Sequence, residues 1–301
     1  MTELYSLKGK NVVITGAGGY NIGTQTAILF AKSGASTLLL SDVSQCALDA
    51  LRCALARNGA FPDSTFIFHA CNVSDDGSMA DLFSQLDPLG GPDVVVNNAG
   101  VFPTSADGDA ITSTRAAWDT TYLVNVLGTW LGRRYAVLAM RRHAKPRGSV
   151  VNLGSVAGPI GSAIAQLAYT SSKGAVAAMT RELAIVHARE SIRFNCLCPG
   201  PVNSPMLNHF LDGPGDEEEE SAELGGEPNS GSKRRRREVH LPQGRWGDSV
   251  EVAAAALFLA ADASAFVNAI DLAVDGGLTK AFVTPLGPPS AAFIPNFSVS
   301  P

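Results

Sequence analysis

Short apolar runs alternate along the chain with longer segments whose apolar residues recur at helical spacing. The runs predict seven strands, at residues 11–15, 36–41, 65–70, 93–97, 149–153, 192–197 and 270–274. The longer segments predict six helices, at residues 22–33, 44–58, 75–86, 114–142, 165–189 and 249–261. Because crossover helices cover both faces of a parallel sheet, its strands must be apolar nearly throughout. We therefore predict a doubly wound α/β fold with a parallel seven-stranded sheet in a single domain.

Two segments lack this periodicity. An insertion at about residues 212–238 combines an acidic run with a basic run, and we expect it to be mobile. It lies within residues 204–245, which we interpret as a lid over a substrate pocket. Residues 284–301 are rich in proline and serine and are expected to form a C-terminal arm. Residues 1–283 are then the folded domain.

Composition and charge restrict the function. The 301 residues carry a net charge of −5, so no global positive field exists to hold nucleic acid or an anionic membrane. The basic run 233–237 follows acidic residues closely, and we interpret it as a solvated loop. No apolar run approaches the roughly 20 residues that span a bilayer, and residues 1–10 lack the apolar core of a signal peptide. We expect a cytoplasmic protein whose partner is a small molecule.

The cysteines and histidines give no sign of a metal. The five cysteines are odd in number and lack paired CxxC spacing, and the five histidines form no HExxH motif. We expect reduced thiols and no metal site.

A glycine-rich turn, Thr15 to Gly23, joins the first predicted strand to the first predicted helix. Its backbone N–H groups can face a pyrophosphate, although glycines also cluster in turns that bind nothing. Asp42, about 20 residues further, can accept hydrogen bonds from both hydroxyls of an adenosine ribose and would repel a 2′-phosphate. No Arg or Lys stands beside it, so the pattern favours NAD over NADP. The alternative for Asp42 is a plain turn or helix N-terminal residue.

The turn and the motifs that follow it resemble the short-chain dehydrogenase/reductase family from about residue 7 to residue 280, which implies a Rossmann fold. The turn resembles TGxxxGxG with one extra residue, and Asn21 stands in place of the middle glycine. Asparagine tolerates a positive φ better than other non-glycine residues. Residues 97–100 resemble the NNAG motif beside the adenosine, and residues 71–73 resemble the adenine-contacting segment. The resemblance implies that NAD contacts Gly16, Asn21, Ile22, Gly23, Asp42, Asn72, Val73, Asn98, Ala99, Gly100, Tyr169 and Lys173.

Tyr169 and Lys173 stand four residues apart in a predicted helix, so they share one face. A lysine ammonium and a positively charged nicotinamide would favour the phenolate, lower the pKa of Tyr169 and let it take the hydroxyl proton of an alcohol. Such pairs also occur on solvated helix faces. Ser155, just after the fifth predicted strand, resembles the family serine that hydrogen-bonds the reacting oxygen, and this favours the catalytic interpretation. Its alternative is a turn serine.

Asn125 is a polar residue within an apolar helical stretch, so it needs partners. By resemblance it holds a water that links Lys173 to solvent; the alternative is an amide that bends the helix. A later segment resembles PGxVxT, although proline and glycine there could mark only a loop. The resemblance implies that the nicotinamide carboxamide is held by Pro199, Gly200, Val202 and Ser204.

The predicted pocket walls are mainly apolar, which favours a hydrophobic or cyclic secondary alcohol or ketone. By resemblance they comprise Val156, Ala157, Ile160, Leu167, Met206, Leu207 and Phe210. The helices predicted at 114–142 and 165–189 resemble those through which the family forms homodimers and homotetramers. Two alternatives stay open: a catalytically weak dinucleotide-binding protein with a regulatory or structural role, and a dehydratase or epimerase.

Overall fold

Nine short strands occur in the part of the chain that the computed structural model describes, which is residues 3–57, 61–144, 147–161, 165–204 and 240–281. They are β1 (Asn11–Thr15), β2 (Thr37–Asp42), β3 (Thr65–Ala70), β4 (Val94–Asn97), β5 (Gly148–Leu153), β6 (Ile192–Pro199), β7 (Val202–Asn203), β8 (Gly247–Asp248) and β9 (Asp271–Val274). Seven of them form one parallel sheet in the order β3-β2-β1-β4-β5-β6-β9, and β7 pairs separately with β8. The predicted doubly wound α/β fold is confirmed.

Helices connect the strands and cover both faces of the sheet. They are α1 (Ile22–Lys32), α2 (Gln45–Arg57), α3 (Asp76–Ser84), α4 (Arg115–Thr121), α5 (Thr129–Arg142), α6 (Leu167–Val186) and α7 (Ser249–Ala260). A π-helical turn, Tyr122–Gly128, lies between α4 and α5. Short 3-10 segments occur at Glu3–Tyr5, Asp87–Leu89, Ala188–Glu190, Asp262–Ser264 and Leu278–Lys280.

The strands are apolar on both sides because each side is buried. In β1, Val12 and Ile14 pack in a cluster with residues of α1, α2 and α7, whereas Val13 packs with residues of α3 and α5. All three side chains are 0% exposed. Fully burying such a side chain contributes roughly 1.5–3 kcal/mol, so a charged residue on either face would be costly.

The sheet order creates a crevice at the carboxyl ends of the strands. β1 lies between β2 and β4, so the chain crosses to the other half of the sheet after β3. Thr15 at the end of β1 lies beside Asn97 at the end of β4, and Asn97 lies beside Asn152 near the end of β5. Doubly wound sheets bind their ligands where the strand order reverses in this way.

Several predicted boundaries differ from the observed ones. The helix predicted at 114–142 is divided by the π-helical turn, because hydrophobic spacing does not register one extra residue in a turn. The β7–β8 pair was not predicted, since two-residue strands are too short to show an alternating pattern. The predicted β1 and β3 match the observed strands at both ends, and the other strand and helix ends differ by at most three residues.

Part of the predicted domain organisation lies outside the described residues. The insertion at 212–238 and the arm at 284–301 fall there, as does the lid apart from residue 204 and residues 240–245. Among the described helices, none has the length and apolar character needed to cross a membrane.

Candidate active site

The glycine turn after β1 leaves no room for side chains. Gly16 has φ +61°, and a Cβ added to it would lie 2.6 Å from the Cα of Ala99. A Cβ on Gly23 would lie 2.6 Å from both Asn98 Nδ2 and the carbonyl oxygen of Gly16. The turn therefore presents bare backbone to the crevice.

Asn98 braces this turn from the neighbouring strand. Its Nδ2 donates to the carbonyl oxygens of Thr15, at 3.1 Å, and Gly16, at 2.7 Å. The hydroxyl of Thr15 accepts in return from the backbone N–H groups of Asn98 and Ala99, both at 3.2 Å. The turn and the NNAG segment, with Gly100 at its end, thus form one rigid unit.

The expectation that Asn21 replaces glycine through a positive φ is wrong. Its φ is −144°, which is extended backbone that any residue adopts, and the positive φ values of the turn belong to Gly16 and Gly19. Asn21 instead caps α1: Oδ1 accepts from the N–H of Thr24 at 3.0 Å, and Nδ2 donates to the Gly18 carbonyl at 2.7 Å. The side chain holds the longer turn together by hydrogen bonds.

The start of α1 fits the phosphates of a dinucleotide. In the described part of the chain, no hydrogen bond uses the backbone N–H groups of Ile22 and Gly23, which begin α1. Both point from a helix N-terminus beside the tight turn, where the helix dipole favours negative charge. The glycine turn has no room for Cβ atoms, and the start of α1 has backbone N–H groups without a partner among the described residues. This combination is suited to binding a pyrophosphate.

Two further predicted cofactor contacts lie along the same edge. The half-buried carboxylate of Asp42 accepts from the N–H groups of Gly18 and Ser44, each at 3.1 Å. The exposed Asn72 accepts at Oδ1 from the N–H and the hydroxyl of Ser74, and Val73 beside it is buried. These side chains lie at the ends of β2 and β3, as the motif order predicts.

Sequence reasoning missed one contact at the turn. The guanidinium of Arg57, at the end of α2, donates to the hydroxyl of Tyr20 at 2.9 Å. Arg57 stands 37 positions from Tyr20, so no local pattern could have indicated it.

The predicted catalytic side chains converge at the end of β5. Ser155 follows this strand, and Tyr169 is the third residue of α6. The Ser155 hydroxyl lies beside the Tyr169 hydroxyl. The ring centroids of Phe102 and Tyr169 are 4.7 Å apart. Lys173 lies one turn further along α6, with Nζ 5.6 Å from the centre of the Tyr169 ring.

The ionisation of this pair in the protein alone is governed by burial. Burial raises the pKa of Tyr169, and the hydrogen bond from Ser155 opposes that shift only in part. Lys173 is 6% exposed, its Nζ donates to the Leu153 carbonyl at 2.8 Å, and burial lowers its pKa to about 8. The protein's own groups therefore do not lower the pKa of Tyr169, because desolvation outweighs the opposing effect of Ser155.

Asn125 is fully buried in the π-helical turn, and its amide is satisfied. Oδ1 accepts from the Val101 N–H at 2.8 Å, and Nδ2 donates to the Val101 carbonyl at 3.0 Å and to the Ser172 hydroxyl at 3.1 Å. A Cβ on Gly100 would lie 3.4 Å from Asn125 Oδ1 and 3.5 Å from Lys173 Nζ. Asn125 and Lys173 thus meet at Gly100, while the proton-relay role stays a prediction.

The proline–glycine segment after β6 closes the other side of the crevice. The Pro199 carbonyl accepts from the Val156 N–H at 3.1 Å, and the Gly200 N–H donates to the Val274 carbonyl at 3.0 Å. Val202 is buried, and Ser204, the first residue of the predicted lid, is the last described residue before residue 240.

The predicted pocket walls divide into two groups. Val156 and Ala157 are each 8% exposed, whereas Ile160 and Leu167 are 37% and 42% exposed. The other three predicted wall residues, Met206, Leu207 and Phe210, lie outside the described residues.

A pair of thiols lies beneath the catalytic residues. Cys196 Sγ and Cys198 Sγ are 3.7 Å apart, and a Cβ on Gly154 would lie within 3.0 Å of both. A carboxylate oxygen of Asp271 lies within 4.8 Å of the two sulfurs, but this carboxylate is paired with Arg181 at 2.6 Å. The expectation of no metal site stays a prediction.

Comparison with known proteins identifies relatives along nearly the whole chain. A family model described as enoyl-(acyl carrier protein) reductase matches residues 16–279. The 2-(S)-hydroxypropyl-CoM dehydrogenase 3 of Xanthobacter autotrophicus is 34% identical over 276 residues, which cover 91% of this chain and 98% of that protein. The 2,5-dichloro-2,5-cyclohexadiene-1,4-diol dehydrogenase of Sphingobium indicum is 32% identical over 274 residues, which cover 91% of this chain and 98% of that protein.

A solved structure extends the likeness to three dimensions. The crystal structure of levodione reductase superposes with a TM-score of 0.79 at 28% identity, covering 91% of this chain and 99% of that one. Sequence motifs, sheet order and relatives all agree. The chain belongs to the short-chain dehydrogenase/reductase family and is an oxidoreductase that acts on CH–OH groups with a nicotinamide dinucleotide.

Proposed function

We propose that this protein transfers a hydride between NAD(H) and a hydrophobic or cyclic secondary alcohol or ketone. One observation above all supports this: Tyr169, whose hydroxyl lies beside that of Ser155, stands one helical turn from the buried Lys173. All three lie at the carboxyl end of the sheet, on the same edge as the glycine turn. This arrangement brings a proton acceptor and a positioned cation to one place.

Each of the chain's own groups has a task in alcohol oxidation. The Tyr169 oxygen takes the proton of the substrate hydroxyl, and the Ser155 hydroxyl donates a hydrogen bond that orients the same substrate oxygen. When bound, NAD supplies the acceptor for the hydride. Lys173, held by the Leu153 carbonyl, keeps its charge beside the tyrosine. Asn125, which meets Lys173 at Gly100, would hold a water through which the proton leaves.

The positive charge of the bound cofactor completes the proton-transfer site in this proposal. Burial raises the pKa of Tyr169 in the protein alone, so a further cation must favour the phenolate. The nicotinamide carboxamide would be held by the segment Pro199, Gly200, Val202 and Ser204.

NAD rather than NADP is the proposed cofactor, since the carboxylate of Asp42 lies at the end of β2 beside the glycine turn. The Asp42→Ala variant should raise kcat/KM with NADP by about 10-fold or more, because each 1.4 kcal/mol of removed repulsion is tenfold. Steady-state kinetics with both cofactors measure this. Asp49→Ala removes an exposed carboxylate of α2 whose partner among the described residues is Gln45, and its cofactor preference should match wild type. Unchanged preference in Asp42→Ala would contradict the NAD assignment.

The substrate class follows from apolar walls and from named relatives. Val156 and Ala157, the two residues that follow Ser155, have buried apolar side chains. The Sphingobium relative is named for a cyclohexadiene diol. We propose screening NAD-linked oxidation across secondary alcohols, with cyclic and sugar-derived compounds included.

The decisive test is the Tyr169→Phe variant. It should lose at least about 100-fold in kcat, the size of a general acid–base contribution, and should still bind NADH. Absorbance at the NADH band measures turnover, and fluorescence titration measures binding. Tyr135→Phe is the matched control, because it removes a phenol hydroxyl on α5 outside the site. Full activity of Tyr169→Phe would remove the basis of the mechanism.

The same measurements separate the two alternatives. NADH binding by the wild type without turnover across the whole panel would favour a regulatory or structural dinucleotide-binding protein. Product formation without a matching change in NADH would favour a dehydratase or epimerase.

We also propose a homodimer or homotetramer. Apolar side chains are exposed along α5 and α6: Trp130 is 43% exposed, Ile185 70% and Val186 59%. Exposed apolar surface of this kind is typical of subunit contacts. Light scattering of the purified protein gives the mass of the assembly.

A further inference from the structure

The helix that carries Tyr169 and Lys173 begins without a cap of its own. Gln166 occupies the N-cap position of α6, but its side chain accepts no hydrogen bond from a backbone N–H of the first turn. Its Nε2 instead donates to the Thr170 hydroxyl at 3.2 Å. The backbone N–H groups of a first turn have no acceptor within the helix, and leaving them buried and unpaired is costly.

The acceptors come from a loop about sixty residues earlier in the chain. The N–H of Leu167 donates to the Gly108 carbonyl at 2.9 Å. The carboxylate of Asp107 then accepts from the N–H of Ala168 at Oδ1, 3.0 Å, and from the N–H of Tyr169 at Oδ2, 2.9 Å. Asp107 thus acts as an N-cap supplied by another segment, with its negative charge at the positive end of the helix.

The carboxylate of Asp107 is itself firmly held. It is 8% exposed, and Oδ1 also accepts from the Gly108 N–H at 3.0 Å and from the Ser113 hydroxyl at 3.1 Å. The same loop carries Phe102, whose ring packs on the ring of Tyr169. Tyr169 is therefore held by this loop at both its backbone and its ring.

We propose that Asp107 is a positioning residue for the reaction, which fixes the first turn of α6 and with it the Tyr169 oxygen against Ser155. This rests on the proposed function, because it concerns the same tyrosine. Lys173 is anchored separately to the Leu153 carbonyl, so loosening the first turn displaces the tyrosine and leaves the lysine in place. Loss of Asp107 should then reduce the chemical step and spare cofactor binding.

The experiment compares Asp107→Ala and Asp107→Asn with Asp109→Ala. Asp109 is matched to Asp107 in type and loop, and its carboxylate accepts from the N–H groups of Ile111 and Thr112 within that loop. Asp107→Ala should lower kcat about 100-fold, the size expected for a displacement near 1 Å, with KM and the Kd of NADH changed less than about 3-fold. Asp107→Asn keeps one acceptor oxygen and should recover about half of that loss on a logarithmic scale.

The kinetic isotope effect with a deuterated alcohol distinguishes a positioning role of Asp107 from a purely structural one. The kinetic isotope effect should increase in Asp107→Ala, since hydride transfer becomes rate-limiting, and should be unchanged in Asp109→Ala. Circular dichroism establishes that each variant is folded, and Asp107→Asn carries the test if the alanine variant does not fold. Wild-type kcat in a folded Asp107 variant, or an equal loss in Asp109→Ala, overturns the proposal. Full activity of Tyr169→Phe would instead overturn the proposed function.

Discussion

At the scale of single residues, Tyr169 and Lys173 behave as a coupled pair. Burial raises the pKa of the tyrosine and lowers that of the lysine to about 8, so the pair loses its first proton near pH 8. That proton belongs to the pair, because a charged lysine beside a phenolate and a neutral lysine beside a phenol differ only in where it resides. Alcohol oxidation needs the pair with this proton removed.

A pH limb follows. The kcat/KM for NAD in alcohol oxidation, which reports the ionisation of the free enzyme, should rise with pH through about 8, and the kcat/KM for NADH in ketone reduction should fall over the same interval. Lys173→Met leaves only the tyrosine, whose pKa is raised above its ordinary 10.0, so the limb should move above pH 10. At pH 8 the kcat/KM of Lys173→Met for alcohol oxidation should therefore be about 100-fold below that of the wild type, tenfold for each of the two pH units between 8 and 10.

The matched control is Lys32→Met, which removes an exposed lysine at the end of α1. Its pH profile for alcohol oxidation should coincide with that of the wild type. A limb near pH 8 that persists in Lys173→Met would assign the ionisation to another group.

The chemistry-bearing residues could be predicted from sequence because each stands at a strand end or at fixed helical spacing. Ser155 follows β5, and Tyr169 and Lys173 share a face of α6. Conformation could not be predicted in the same way: Asn21 was expected at positive φ but is extended. The extra residue of the turn is accommodated by its side-chain hydrogen bonds, which depend on the folded loop.

At the scale of elements, the glycine turn is the part of the site most sensitive to added bulk. Gly16→Ala introduces a Cβ that meets backbone of Ala99 and cannot move aside, at a φ of +61° that alanine disfavours by about 1–2 kcal/mol. The turn must shift away from Asn98, so the Kd of NADH should rise about 10-fold or more. Fluorescence titration measures this.

Gly9→Ala provides the comparison. Gly9 has φ +79°, but an added Cβ there has no heavy atom within 4 Å. It should lower the melting temperature through backbone strain and leave NADH affinity as in the wild type. Equal affinity in Gly16→Ala and Gly9→Ala would show that the close approach to Ala99 is not needed for binding.

Contacts between residues far apart in the sequence could not be predicted from the sequence. The cap of α6 comes from Asp107, and the charged Arg133 of α5 is 0% exposed although helix charges ordinarily face solvent. Arg133 donates to Asn152 Oδ1 at 3.0 Å and to the Val176 carbonyl at 2.9 Å, and burial lowers its pKa to about 10. Such contacts appear only when strands and helices pack. The strands themselves were predictable, because burial on both faces requires uniformly apolar residues.

At the scale of the whole molecule, an ion pair ties the ends of two long helices. Glu190 follows α6, and its carboxylate accepts from Arg141 of α5 through two hydrogen bonds of 2.7 Å and from His187 at 2.8 Å. The hydrogen bond with Arg141 is the main reason that the pKa of Glu190 falls to about 2. The folded state therefore binds this proton less readily than the unfolded chain.

Acid stability should depend on this pair. A carboxyl whose folded pKa is lowered from 4.5 to about 2 stabilises the fold above pH 4.5, and this is lost as pH falls toward 2. Glu190→Gln should lower the free energy of unfolding at pH 7 by at most about 1 kcal/mol, since the group is partly exposed. It should also weaken the pH dependence between 4.5 and 2, as measured by urea unfolding.

Glu182→Gln is the control, because Glu182 is an exposed carboxylate of α6 without an ion pair among the described residues. Its unfolding curve should follow the wild type at every pH. A steeper acid dependence in Glu190→Gln than in the wild type would reverse the sign assigned here.

The π-helical turn at Tyr122–Gly128 holds one residue more than an α-helical path over the same distance. Deleting one residue there would let the segment close into a regular α-helix, so α5 would keep its rotation and its buried Arg133. Within the turn itself, positions would be redistributed around the helix axis by about 100° for the residue lost. Asn125 would then lose Val101 and Ser172. Such a deletion would spare the packing of α5 and remove the amide that meets Lys173 at Gly100.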